Sequence, residues 1–176
     1  MPDGANSKTA ASHLGLLQGI ARIRDLAEDE VACAARAKEI SDWGVQLHLE
    51  HLFLAESGIL RFLEGVVYSA APETAEGGPS TRGYIVLQSG FIPRGKGNAP
   101  KRTIPSGLSI EEIRDGFRDI EARYQSLEQH LGTLDAHKGT LAHPLLGHFN
   151  AAQWLRFAHV HHVHHQKIID DILSRG

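Results

Sequence analysis

The segment NAAQWLRFAHVHHVHHQKIIDDILS (150–174) holds five of the chain's 12 histidines within eight residues, HVHHVHHQ at 159–166. Advanced at about 100° per residue, it reads as one amphipathic helix from Ala151 to about Ser174. Trp154, Ala158, His161, His165, Ile168 and Ile172 fall on one strip, with Phe157 beside it. The strip is apolar except for His161 and His165, at i and i+4. His159 and His162 point well away from it, and His164 lies on its flank. Two imidazoles are therefore expected to face a core, and the other three to sit on the surface or at its margin. Asn150 with Gln153 is placed to cap the helix start.

A second segment repeats the anomaly. WGVQLHLEHLFLAESGILRFLEGVV (43–67) is apolar around much of its circumference, as suits the middle of a bundle. Ser41 and Asp42 are N-cap candidates for it. His51 shares a strip with Ile40, Gly44, Leu47, Ala55, Gly58 and Phe62, and His48 stands at its margin. Helical phase turns Glu50 and Glu56 away from the His51 face, so neither is assigned as a general base.

Two further helices complete the pattern. Leu16, Leu17, Ile20, Ile23, Ala27, Val31 and Ala34 recur at helical spacing between 11 and 37, with EDE at 28–30 leaving room for a break. Ser109 with Glu112 reads as a capping box. Behind it Ile110, Ile113, Phe117, Ile120, Tyr124, Leu127 and Leu131 form one stripe, and Gly132 suits its C-terminus. Residues 69–108 are rich in Pro and Gly around a β-like YIVL (84–87). A connection this long is functional or mobile, or a crossover between helices. The expected organisation is a disordered tail over 1–10 and one all-α domain over 11–176, with 69–108 as an irregular insertion.

Composition narrows the function. The formal net charge is −3 and no basic recognition helix is visible, which argues against nucleic acid as a partner. No run of about 18 apolar residues is present and the first residues lack a signal-peptide core, so no membrane role is expected and the cytoplasm is the expected compartment. The single cysteine, Cys33, excludes an intramolecular disulfide and reads as a buried, inert thiol. Trp43 and Trp154 read as core packing.

Buried histidines each need a partner for a ring nitrogen, because an unpaired buried polar group is costly. A single buried histidine usually finds one in backbone or a carboxylate. Three that face one another can share a divalent metal. Two at i and i+4 on one helix, with a third from a facing helix, leave open positions of the kind found in catalytic zinc sites. A fourth protein ligand, from His48 or His164, would instead make the site structural. Arg94, Lys96, Lys101 and Arg102 make the insertion locally basic, and Arg94 and Lys96 are candidate anion-binding residues.

HPLLGHFNAAQWLRFAHVHHVHH (143–165) resembles the C-terminal signature of the DinB/YfiT-like superfamily, in the domain-of-unknown-function branch with the pattern HPxxG, then W, then HxxHH. The matching residues are His143, Pro144, Gly147, Trp154, His161, His164 and His165. Trp43 preceding His51 by eight residues, and FIPRGKGNAPKRTIP (91–105), are similar to further segments of that branch. The resemblance covers most of the chain from about residue 40. It implies an antiparallel four-helix bundle with a long crossover insertion between helices 2 and 3. It also implies one divalent metal, zinc or nickel, held by His51, His161 and His165; from their positions at the margins of the two strips, His48 and His164 are candidate supporting residues. One departure is Ile168, where relatives often carry glutamine; here Gln166 stands nearby. The resemblance further implies a small-molecule substrate, a thiol among the options, a hydrolase or thiol-transferase reaction, and a homodimer. The competing expectation is a non-catalytic metal- or ligand-binding dimeric bundle.

Overall fold

The computed structural model describes residues 7–69, 75–95 and 99–175. In chain order the elements are α1 (Ser7–Ala27), α2 (Glu30–Ala34), α3 (Val45–Tyr68), α4 (Thr81–Ser89), α5 (Ile110–Ser126), α6 (Leu131–Ala136), a hairpin of β1 (Thr140–His143) and β2 (Gly147–Asn150), and α7 (Ala151–Leu173). The protein is mostly helical with one small two-stranded sheet. Both expected capping boxes are present, Ser109–Glu112 opening α5 and Asn150–Gln153 opening α7.

The four long helices enclose the core. α1 and α3 each pack against both α5 and α7. Pairings along the helices give their directions. Gln166 meets Gly19 and Asp170 meets Arg22, so α1 and α7 run parallel. Leu108 meets Gln46 and Arg123 meets Glu64, so α3 and α5 also run parallel. The α1–α5 and α3–α7 pairs are antiparallel, the first through His13 with Tyr124 and Ala27 with Arg114, the second through His48 with His165 and His51 with His161. Because α3 and α5 run the same way, the chain between them must return the length of a helix. That is why the insertion is long.

The insertion departs from its reading in one respect. YIVL is helical, within α4. Ser80 caps the helix by accepting from the Gly83 N–H, and Gly90 ends it at φ 66°. Its buried residues are Gly83, Val86 and Leu87, spaced at i, i+3 and i+4, so the apolar run has a helical face despite its β-branched residues. A Cβ at Gly83 would stand 2.2 Å from the Leu146 carbonyl oxygen, so only glycine lets α4 lie against the hairpin turn.

Three other expectations are corrected. Residues 7–10, placed in the tail, form the start of α1, while residues 1–6 lie outside the described residues. Gly44, not Ser41 or Asp42, is the N-cap of α3. α5 ends at Ser126, and Gly132 lies inside α6 after a 3-10 turn. The His143–Pro144 stretch forms the tip of the β1–β2 hairpin, in register Thr140 with Asn150 and His143 with Gly147.

Candidate metal centre

His51 from α3 and His161 and His165 from α7 meet where those antiparallel helices cross. His51 Nε2 is 3.2 Å from His161 Nε2, and His165 Nε2 is 3.1 Å from the same atom. One ligand atom from each ring lies within 4.8 Å of the others, a grouping that could hold a metal ion. Around a tetrahedral ion with bonds of about 2.0–2.1 Å, ligand nitrogens stand about 3.3 Å apart, close to the spacing seen here.

The outer nitrogens explain why the inner ones converge. His51 Nδ1 is 2.6 Å from the Thr103 carbonyl oxygen. A carbonyl only accepts, so Nδ1 carries the proton and Nε2 of the neutral ring is bare. His165 Nδ1 is 2.9 Å from His48 Nδ1, and His48 Nε2 is 3.0 Å from Ser41 Oγ. With His165 as donor, His48 accepts at Nδ1 and donates its own Nε2–H to Ser41, and His165 Nε2 is bare too. Ser41 is itself held by the Trp43 N–H. Metal-binding imidazoles characteristically donate their second N–H in this way. His161 Nδ1 is buried with no hydrogen-bond partner among the described residues; its ring stacks on Phe157 at 17° and 5.4 Å.

Protons are a poor substitute for a metal at this place. Burial pushes His161 and His165 well below the ordinary histidine value, and the neighbouring imidazoles push the same way. Burial also lowers His51, against an opposing pull from the Thr103 carbonyl, and takes His48 to about 4. Neutral rings that point lone pairs at one another repel, and a cation shared between them removes that repulsion. The residues present therefore fit a divalent ion.

Aromatic rings wall the centre. Trp43 lies 5.2 Å from His51 and 5.5 Å from His48 between ring centroids, so it serves the site as well as the packing. Phe157, His143 and Trp154 close the other side. His161 is half-buried, and His51 and His165 are buried.

His162, expected to point away from the core, is fully buried. Its Nε2 is 3.3 Å from Glu56 Oε1, and Glu56 accepts a short hydrogen bond from the Tyr124 hydroxyl. Glu56 and Glu50 do face away from His51, as expected, but both are completely buried. Glu50 receives the backbone N–H groups of Ser106, Gly107 and Leu108 and the Ser106 hydroxyl. It thereby ties down the stretch that carries Thr103. No residue-type pattern in 101–108 marks Thr103 in advance, because its contribution is a backbone carbonyl.

His164 does not reach the centre as a further ligand; its ring stands edge-on to His165 at 5.0 Å. Arg94 ion-pairs with Asp171 at 2.6 Å, and Lys96 lies outside the described residues. Cys33 is buried, and burial raises its thiol pKa, as befits an unreactive side chain.

Residues 90–171 match the model of a family described as "Protein of unknown function (DUF1569)". The match takes in a little under half of the chain, including Arg94, Thr103, His161 and His165 but not His51. No curated protein and no solved structure matches the chain. No helix among the described residues is long and apolar enough to cross a membrane.

Proposed function

We propose that this chain is a DinB-like four-helix bundle that binds one divalent metal, zinc or nickel, through His51, His161 and His165, and is a hydrolase or thiol transferase acting on a small molecule. The observation that carries the reading is the convergence of three Nε2 atoms, two of them backed by hydrogen bonds on the opposite ring nitrogen. A divalent ion in a neutral three-imidazole set keeps its full charge and lowers the pKa of a water or thiol that reaches it. The protein's part is positioning. Thr103 fixes the His51 ring, and His48 with Ser41 fixes His165. Trp43 and Phe157 limit water around the rings.

The catalytic reading is preferred to a purely structural one because His48 turns its Nδ1 to the back of His165 and not to the centre. It supports a ligand without becoming a fourth. A cytoplasmic homodimer without nucleic-acid or membrane partners completes the reading, on the resemblance and the negative charge.

The test is metal content by elemental analysis of untagged protein, with His51→Ala and His161→Ala variants. About one zinc or nickel per chain, lost in both variants, is expected. Absence of metal after reconstitution overturns the reading. Thiol-transfer and ester-hydrolysis screens on the loaded protein then separate the two reaction classes.

A further inference from the structure

Beside the histidine centre lies a groove of about 400 Å³, between the segment that follows α4 and the outer face of α7. Phe91, Ile92 and Arg94 form one wall, and Val163, His164 and Lys167 the other. Its volume is that of a small-molecule site, which typically holds about 300–1,000 Å³.

The lining is divided chemically. Phe91 is 60% exposed, an unusual placement for a phenylalanine beside a concave surface, and Ile92 and Val163 extend the apolar strip. Arg94 and Lys167 supply two positive charges, and no carboxylate among the described residues lines the groove. Asp171 engages Arg94 through one nitrogen, Nη1, in a pair whose side chains are 44% and 51% exposed. Such a surface pair is weak, and the other guanidinium donors have no partner among the described residues. Lys167 makes no ion pair among the described residues. The groove is thus apolar along its length and cationic at one side. His164 links it to the centre: it lines the groove with Ile92, and its ring stands edge-on to His165.

We infer that this groove binds a small amphipathic anion, an apolar body bearing one carboxylate, sulfonate or phosphate, and that it is the substrate-recognition site of the adjoining metal centre. The second half rests on the metal reading above; the first does not. The apolar body lies along Phe91, Ile92 and Val163. The anionic group is held by Lys167 and the free donors of Arg94. An uncharged molecule of the same shape gains only the first set of contacts.

The experiment compares two fluorescent probes of one body, anilinonaphthalene sulfonate and uncharged phenylnaphthylamine, titrated into metal-free protein. The wild type is expected to bind the sulfonate roughly tenfold more tightly than the neutral probe. Arg94→Gln and Lys167→Gln should each remove most of that preference and leave the neutral probe unaffected. Phe91→Ser should weaken both. His51→Ala should keep the preference, since it touches only the centre. Equal binding of the two probes, or a preference that survives in both glutamine variants, overturns the anion site. In cobalt-loaded protein the sulfonate should perturb the visible cobalt bands, and an unchanged spectrum overturns the link between groove and centre. Failure of metal uptake with the preference intact refutes the metal reading and the link and leaves the anion groove standing, whereas metal uptake without the preference refutes the groove and the link and leaves the metal reading standing.

Discussion

Replacing Glu50 should damage both the fold and the centre, although Glu50 touches no histidine of the cluster. Its carboxylate is completely buried and accepts from Ser106 N at 2.6 Å, Ser106 Oγ at 3.0 Å, Gly107 N at 2.9 Å and Leu108 N at 3.0 Å. Burial alone would raise its pKa, but these donors more than offset that and hold it below the ordinary carboxylate range. Hydrogen bonds to a charged acceptor contribute about 1.5–3 kcal/mol each. Ser106 and Gly107 are on the surface, so their freed N–H groups can turn to water, and the lower end applies. Four such bonds at the lower end sum to about 6 kcal/mol, but removing the carboxylate also recovers its desolvation cost of a few kcal/mol, so Glu50→Ala should cost roughly 3–4 kcal/mol in urea denaturation. Glu50→Gln should cost nearly as much, because one acceptor oxygen becomes an NH2 group aimed at backbone donors. The Thr103 carbonyl that orients His51 sits three residues before Ser106 in the same stretch. Loosening it should lower metal affinity by about 10–100-fold, the range for loss of an outer-sphere partner. Denaturation of metal-free protein separates the first effect, and competition with a chelator reads the second. A stability change below about 1 kcal/mol, or a Gln variant that behaves as wild type, would refute the latch.

Acid should unfold the metal-free protein early. Burial, with smaller like-charge contributions from neighbouring histidines and Arg94, takes His48 to about 4, and His51, His161 and His165 are lowered too. A histidine whose folded pKa is depressed stabilises the fold fully above about 6.5 and loses that contribution as pH falls toward the folded value; for His48 alone it is about 3 kcal/mol. The urea midpoint should fall steeply from about pH 6.5 to about pH 4, and a flat profile sinks the assignment. Bound metal should steepen the acid dependence, since protons then compete with it for the three rings. Gly116→Ala in α5 would place a Cβ 2.4 Å from the Phe53 ring on α3. Despite alanine's better helix propensity, the variant should lose about 1–3 kcal/mol by overpacking, measured as a shift in the thermal midpoint. A stabilised variant would show that the ring yields freely.

The sequence pattern located His51, His161 and His165 because each interrupts an apolar strip on a helix with one dominant inward face. It failed at His162, one residue further on. α7 packs against both α1 and α3, so it has two inward faces about a hundred degrees apart, and a single strip describes only one of them. The second face belongs to a different polar layer. His13 on α1 meets the Tyr124 carbonyl, the Tyr124 hydroxyl on α5 meets Glu56 on α3, and Glu56 meets His162 on α7. Each long helix contributes one member, and all four residues are buried. Periodicity cannot announce such a layer, because a glutamate or histidine at a polar phase reads as solvent-facing until the neighbouring helix is in place. The insertion was opaque for another reason. Its contributions to the centre are the Thr103 carbonyl and the N–H groups that hold Glu50, and the backbone has the same donors and acceptors whatever the residue type. The helices were legible because side-chain spacing makes them. The parts that hold the imidazoles in a metal-ready orientation were not, because they depend on how one chain segment lies across another.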